Sequence, residues 1–384
     1  MLYKKYFSIK NNKTFDFNKV NNQNNIFFMN KINETLYIKL NKYKELINKI
    51  EIKNWNKTKI LTYNYEYVYN MKYENSLVKY KPISRAYYKL CEIMLDKVRL
   101  KNTKMKFCFL AECPGGFIDY IINSRKHLFC KDEYYTISLI SHNKNVPNFY
   151  LLNQKYNNIN IINGVDKKGD LCNVENIKYL NTNLKVDFVT ADGGFDFTEN
   201  YEEQENNISF LIFCEIISAF SILNEKGTFI LKVFDLYSLN SFNYIYLLSL
   251  YFNNIEISKP HISKPANSEK YILCNGFKGI NQKELEYFFD LIKNKKKIQY
   301  KLPIKYIEYI TQINTYYTIL QINNILHTIV LYQINIHFLY KKFILFKIFV
   351  YSILWCLKYN QSINFKTIFF NNYYKQKINN LIFK

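Results

Sequence analysis

Three side chains draw attention because their type and setting suit acid–base chemistry. Asp192 closes the apolar run Val186-Asp187-Phe188-Val189-Thr190-Ala191 and is followed by Gly193, Gly194 and Phe195. A carboxylate at the carboxyl end of such a strand lies where open α/β sheets bind their ligands. Lys232, in Leu231-Lys232-Val233-Phe234, is a lysine among apolar neighbours at or near the end of the next strand. Core strands seldom carry a lysine unless it is paired, so Lys232 calls for a functional explanation. Glu269, within Lys264-Pro265-Ala266-Asn267-Ser268-Glu269-Lys270-Tyr271, opens a further apolar strand. Taken alone it reads as a solvated strand-edge residue, and its case rests on the others.

A fourth signal concerns binding. Ala111-Glu112-Cys113-Pro114-Gly115-Gly116-Phe117 stands where a hydrophobic strand hands over to a helix, and it uses two of only nine glycines in the chain. Adjacent glycines let the backbone approach a ligand that side chains would otherwise block. The spacing is neither the G-x-G-x-x-G of a dinucleotide site nor a G-x-x-x-x-G-K-[ST] phosphate loop. A nucleoside without a pyrophosphate fits better, and S-adenosylmethionine is such a ligand.

The elements that must position these residues can be read from periodicity. Ser84 offers an N-cap, and Ala86, Tyr87, Leu90, Ile93, Met94 and Val98 recur at helical spacing, which predicts an amphipathic helix over Ser84–Val98 carrying Lys89. From Lys106 onward short apolar runs alternate with helical ones: KFCFLAE, YYTISLI, INIING, VDFVTAD, GTFILKVF and KYILCNGF, with helices predicted over Phe117–Ser124, Ile208–Leu223 and Leu239–Phe252. That alternation is the mark of a doubly wound α/β domain with a parallel sheet. Residues 1 to about 80 read as an N-terminal extension, with a helical pattern around Leu36–Ile52. Beyond about Asn281 strand signals vanish and a helical tail follows. Linkers are expected near Ser141–Asn158 and Lys293–Leu302.

Composition narrows the function classes. A formal charge of +22 is best tolerated beside a polyanion, which makes nucleic acid the first candidate partner. The excess of Lys, Asn, Ile, Tyr and Phe also looks like the imprint of an AT-rich genome, so the aromatic content is weak evidence for base stacking. Cysteines at 91, 108, 113, 130, 172, 214, 274 and 356 form no C-x-x-C pair and lie beside no histidine at ligand spacing, so neither a metal site nor a disulfide is expected. The opening MLYKKYFSIKNNK has no long apolar core, which argues for a cytoplasmic compartment. Phe343–Leu357 is apolar but shorter than the roughly 17 to 25 residues a bilayer span needs, and Lys347 interrupts it. No membrane span is expected.

These pieces, in this order over about Ser84 to Gly279, resemble the FtsJ-like and cap-type (Adrift-type) ribose 2'-O-methyltransferase families, including versions from large DNA viruses. Ser84-Arg85-Ala86-Tyr87-Tyr88-Lys89-Leu90 is similar to the helix bearing their first lysine, and Ser268-Glu269-Lys270-Tyr271 to their glutamate motif. The resemblance implies a Rossmann-like methyltransferase sheet with helices on both faces over 81–281, between mainly helical extensions over 1–80 and 282–384. It implies a catalytic set of Lys89, Asp192, Lys232 and Glu269, in which Lys232 is the general base. Partial burial and the nearby Lys89 would lower its pKa, while Asp192 and Glu269 orient the two ammonium groups. It also implies S-adenosylmethionine held by Glu112, Pro114, Gly115, Gly116, Phe117, Tyr135, Asp170 and Asp192. Asp170 comes from Lys167-Lys168-Gly169-Asp170-Leu171, which is similar to the family's adenine-contacting segment. The implied substrate is RNA, with capped messenger RNA favoured. The implied setting is the cytoplasm, including a viral factory or virion, with the nucleus left open. The chain departs from the pattern twice: Phe109 stands where many relatives hold an acid, for which Glu112 compensates, and no carboxylate follows YYTISL, where Tyr135 is expected to line the pocket instead.

Other methyl-transfer chemistries fit less well. Adenine amino methylation uses an Asn-Pro-Pro-Tyr-like motif where this chain has Asp192-Gly193-Gly194-Phe195, and cytosine C5 chemistry needs Pro-Cys where this chain has Cys113-Pro114. The rival from another class is a non-catalytic RNA-binding or scaffolding subunit that retains the fold and docks a protein partner through its C-terminal helices. The complete Lys-Asp-Lys-Glu set argues against it. Membrane attachment through Phe343–Leu357 is a third reading with nothing else to support it.

Overall fold

A computed structural model describes residues 6–11, 34–70, 75–141, 146–194, 204–334 and 337–367. In chain order its elements are β1 Tyr6–Ile9, α1 Glu34–Asn48, α2 Ile52–Thr58, α3 Ala86–Lys97, β2 Lys106–Leu110, α4 Gly116–Ser124, β3 Glu133–Ile137, α5 Tyr150–Lys155, β4 Ile159–Ile162, α6 Val174–Asn183, β5 Val186–Ala191, α7 Gln204–Ile222, β6 Leu223–Val233, α8 Leu239–Tyr251, β7 Phe252–Ser258, β8 Lys270–Phe277, α9 Gln282–Lys293, α10 Ile304–Gln333 and α11 Phe338–Lys358. The chain divides into two compact units, each assembled from separated segments: Met1–Asn41, Arg99–Pro260 and Ser268–Ile319 form the first, and Lys42–Val98, His261–Asn267 and Leu320–Lys384 the second.

The first unit is built on one eight-stranded sheet in the order β1-β7-β8-β6-β5-β2-β3-β4. Its β6-β5-β2-β3-β4 portion is parallel, as the alternation of apolar runs predicts. Strand order reverses between β5 and β2, so the crevice outside their carboxyl ends is where such a sheet binds a ligand. The remaining strands make the sheet mixed: β8 runs antiparallel to β6 and to β7, and β1 antiparallel to β7. Two of these were not apparent in the sequence. Phe252-Asn253-Asn254 breaks the apolar run that would have announced β7, and β1 is a four-residue strand whose partner lies far along the chain.

Pairing of β6 with β8 sets the site's register. Lys232 lies opposite Tyr271 and Val233 opposite Lys270, so the end of β6 and the start of β8 meet at the same edge of the sheet. At the opposite end, Arg125 and Asp132 form a buried ion pair of 2.7 Å. Arg125 also donates to the Lys101 and Thr103 carbonyls, and Asp132 accepts from the Met105 amide, so the segment entering β2 is anchored by one satisfied network.

The second unit is organised by another buried acid. Glu92 on α3 is fully buried and accepts hydrogen bonds from the amides of His261 and Ile262, at 2.8 and 2.9 Å, and from Trp355 Nε1 on α11 at 2.6 Å. Tyr63 donates to the Ile262 carbonyl, and Val78 bridges to Ile363. The expected division at about 80 and 281 therefore differs from the compact units: α3 packs with segments from both sides of the sheet-forming sequence, and α9 and the first half of α10 belong with the sheet. Helix α9 opens on an Asn281–Glu284 capping box, the local signal behind the change of pattern near Asn281. Among the described residues no helix is long and apolar enough to cross a membrane.

Asp132→Ala leaves Arg125 as an uncompensated buried cation. It is expected to lower stability by about 3–5 kcal/mol, read as a shift of the urea unfolding midpoint without a change in slope.

Candidate functional site

Helix α4 begins at a backbone turn that favours glycine. Gly115 has φ of +106°, where any other residue is strained, and a Cβ there would press on Leu152 of α5 at 3.0 Å. Leu152 is held in place because Lys155 and Tyr156 both reach the buried Asp119 carboxylate in the first turn of α4, at 2.9 and 2.6 Å. Glu112 accepts from the Phe117 amide at 2.7 Å, spending one oxygen on the helix start. Phe117 is fully buried, its ring 5.8 Å from that of Tyr271. What this segment can offer a ligand is therefore chiefly the backbone of Gly115 and Gly116 and the half-exposed Pro114.

The turns after β3 and β4 adjoin it. Gly169 has φ of +65°, and a Cβ there would fall 2.3 Å from the Ser138 carbonyl oxygen, so the Lys167–Asp170 segment lies directly against the end of β3. The Cys113 thiol hydrogen-bonds the Ser138 side chain from the other side. Asp170 uses Oδ1 to cap the Cys172 amide at 2.8 Å. This close-packed backbone rim, at the switch in strand order, fits a nucleoside ligand. Tyr135 does not join it. It sits in the middle of β3 and donates its hydroxyl to Glu133 Oε2 at 2.7 Å, toward the end of the strand opposite the Gly115 turn. The residue at the ligand end of β3 is Ser138, whose short side chain gave no signal in the sequence.

Asp192, Lys232 and Glu269 are brought together. The Lys232 ammonium donates to the Asp192 carbonyl at 2.5 Å and lies 3.2 Å from Asp192 Oδ1, with both side chains largely buried. Tyr271, opposite Lys232 on β8, donates to the same Oδ1 at 3.0 Å. Phe234 covers the group, its ring centroid 5.7 Å from Lys232 Nζ. Glu269 is 5% exposed and immediately precedes β8. Its carbonyl accepts from the buried Lys259 at 2.9 Å, and the neighbouring Lys270 donates to the Phe234 and Ser268 carbonyls at 3.0 and 2.9 Å. Two interior lysines thus pin the segment that carries the glutamate.

The electrostatics differ from the expectation for Lys232. Burial does work against the ammonium, but the carboxylates of Asp192, Glu269 and Glu215 outweigh it, and the net shift is upward from the ordinary lysine value. Glu215, on α7, was not singled out in the sequence, where it reads as one polar residue in an apolar helix. It is 1% exposed, and burial pushes its carboxyl up to about 8. Tyr271 is likewise held well above its usual range, by burial and then by Asp192 and Glu269, so it stays a donor. Lys89 lies on α3, in the second unit. Phe195 lies outside the described residues. Among the described residues no group of three or more His, Cys, Asp or Glu side chains is arranged to hold a metal ion.

Residues 82–277, just over half of the chain, match the family model of the FtsJ-like methyltransferases. The mouse cap-specific mRNA (nucleoside-2'-O-)-methyltransferase 2 is 28% identical over 255 residues, covering 62% of this chain and 33% of the relative. The mouse cap-specific mRNA (nucleoside-2'-O-)-methyltransferase 1 is 33% identical over 213 residues, covering 51% of this chain and 24% of the relative. The chain thus spans about a quarter to a third of the length of these relatives. A crystal structure of a ribosomal RNA methyltransferase from Plasmodium falciparum aligns at 21% identity and a TM-score of 0.38, over 51% of this chain and 99% of that one. By the match over residues 82–277, the chain belongs to the FtsJ-like methyltransferase family, whose methyl donor is S-adenosylmethionine.

Proposed function

We propose that this chain is an RNA ribose 2'-O-methyltransferase acting at the cap of messenger RNA, with Lys89, Asp192, Lys232 and Glu269 as its catalytic set. The observation that carries this reading is the ammonium of Lys232, fixed at the ends of β5 and β6 by the Asp192 carbonyl and carboxylate, beside the turns that suit a nucleoside. Bound S-adenosylmethionine supplies an electrophilic methyl group on a sulfonium. The Gly115–Gly116 backbone, Pro114, Asp170 and Asp192 hold it in this reading. The support for cap specificity is the likeness to the cap-specific mRNA (nucleoside-2'-O-)-methyltransferases.

A ribose 2'-hydroxyl is a weak nucleophile at neutral pH, so a base within hydrogen-bond reach is needed. Lys232 serves as that base. Asp192, itself oriented by the Tyr271 hydroxyl, fixes the amine's direction, and Glu269 holds the charge balance from the start of β8. Because the surrounding carboxylates favour the ammonium, the proton must leave Lys232 before it can accept one from the hydroxyl. Lys89 enters this reading as the second amine of the set by the family resemblance of its helix. The alternative of a non-catalytic RNA-binding subunit docking a protein partner through its C-terminal helices predicts no heat on titration with S-adenosylmethionine.

Lys232→Ala is expected to keep S-adenosylmethionine binding by calorimetry while lowering tritiated methyl transfer to capped RNA by about a hundredfold or more. Undiminished transfer removes Lys232 from the mechanism. The pH dependence has a defined sign. With the Lys232 pKa above its ordinary value, the neutral amine is a small fraction that grows with pH, so the single-turnover rate should rise by about tenfold per pH unit through the neutral range. A flat profile means the ammonium form is the working one. Methylation of RNAs with and without a cap, followed by nuclease mapping, is expected to give a 2'-O-methyl ribose next to the cap; label on a base, or equal labelling without a cap, sinks the substrate assignment.

A further inference from the structure

The mechanism leaves one buried acid beside the site unused. Glu215 projects from α7 to the underside of the Asp192–Gly194 turn. Its Oε1 has no hydrogen-bond partner among the described residues, and it occupies the space a side chain at Gly193 would need: a Cβ there would lie 2.2 Å from it. Gly193 therefore lacks a side chain because Glu215 fills that place. An unpartnered buried carboxyl oxygen is costly, about 1–3 kcal/mol for a neutral group and more for a charged one, so the environment of this carboxyl matters. The groups that act on it come from each neighbouring segment: Lys232 from β6, Asp192 and the Gly193 amide from the turn after β5, and Cys172 from the loop after β4. Cys172 also hydrogen-bonds Cys214, the residue before Glu215 on its own helix.

We propose that Glu215 is a positioning residue for methyl transfer: seated under Gly193, its carboxyl supports the Asp192–Gly194 turn and, by gaining or losing one proton, sets how firmly Lys232 keeps its own. The coupling has a direction. Ionised Glu215 adds a third carboxylate around Lys232 and favours the ammonium, whereas protonated Glu215 leaves only Asp192 and Glu269 to do so. Since burial holds the Glu215 carboxyl up to about 8, this change falls within the range over which enzyme rates are measured.

The inference rests on Lys232 acting as base, and its test separates the two. In the full chain, single-turnover transfer to a capped RNA is followed from about pH 6.5 to about pH 9.5. The wild-type profile is expected to climb, to lose about tenfold in an offset near pH 8 as Glu215 ionises, and to climb again. Glu215→Gln, which keeps the size and removes the titration, is expected to give a line without the offset. An offset that persists unchanged in Glu215→Gln overturns the proposal, as does its absence from a climbing wild-type profile. A second arm needs neither catalysis nor that variant: NMR of carboxyl-labelled wild-type protein should show a glutamate titrating near pH 8, and Lys232→Met, by removing a cation that favours the carboxylate, should move that midpoint up by about one unit. A midpoint in the ordinary carboxylate range, or one unmoved by Lys232→Met, overturns it. If the wild-type chain transfers no methyl group to RNA, the functional reading fails, and the NMR arm still decides the role of Glu215.

Discussion

An ammonium group inside a sheet has to be paid for in carboxylates, and that constraint shapes this fold around Lys232. Removing a lysine from water disfavours its charged form, yet the net balance here favours it, because Asp192, Glu269 and Glu215 all act on the same amine. Each of the three reaches it from a different element: the turn after β5, the residue before β8, and the interior of α7. The antiparallel pairing of β8 with β6 is what allows this. A parallel strand in that place would start at the far edge of the sheet and could not offer its first residues beside the end of β6.

Supporting contacts follow from the same need. Tyr271 orients Asp192, and it is available to do so because the register sets it opposite Lys232. Lys259 donates to the carbonyl of Glu269, and Lys270 to those of Phe234 and Ser268. They replace the solvent that these carbonyls lack, and they fix the loop without entering the site. The ligand side of the crevice is built differently, from backbone: Gly169 brings a turn against the Ser138 carbonyl where no side chain would fit, and Gly115 takes a conformation that strains any other residue.

The sequence made much of this legible. Strands β2 to β6 and β8 are legible as short apolar runs: the interior parallel strands are covered on both faces, and β8, although antiparallel, is buried between β6 and β7. Lys232 and Asp192 stood out because a charge at the end of a buried strand is rarely accidental. What escaped notice has physical reasons. Strand β7 carries two asparagines at its start, and β1 depends on a partner some 250 residues away, which no local pattern can reveal. Tyr135 was expected at the pocket, but alternation along β3 gives little warning that its hydroxyl would turn back to Glu133. Glu215 was hidden by its setting, since a single acid in an apolar helix looks like a solvated position until tertiary packing buries it. The pKa of Lys232 is expected from the sequence to fall, because burial and Lys89 are weighed there without the charges of Asp192 and Glu269, which are the largest influences raising it.

The segmented makeup of the two units bears on how the molecule could be dissected or could have arisen. No single contiguous stretch encodes either unit, since the chain leaves the sheet-bearing one at Pro260 and re-enters it at Ser268. A gene fragment trimmed to 81–281 would carry α3 and the 261–267 excursion while discarding the other pieces that bury them, including the Trp355 that shares Glu92. Exchange of modules by simple end-to-end fusion is closed to such a chain, and the seven residues between Pro260 and Ser268 tie the inheritance of both halves together just ahead of Glu269.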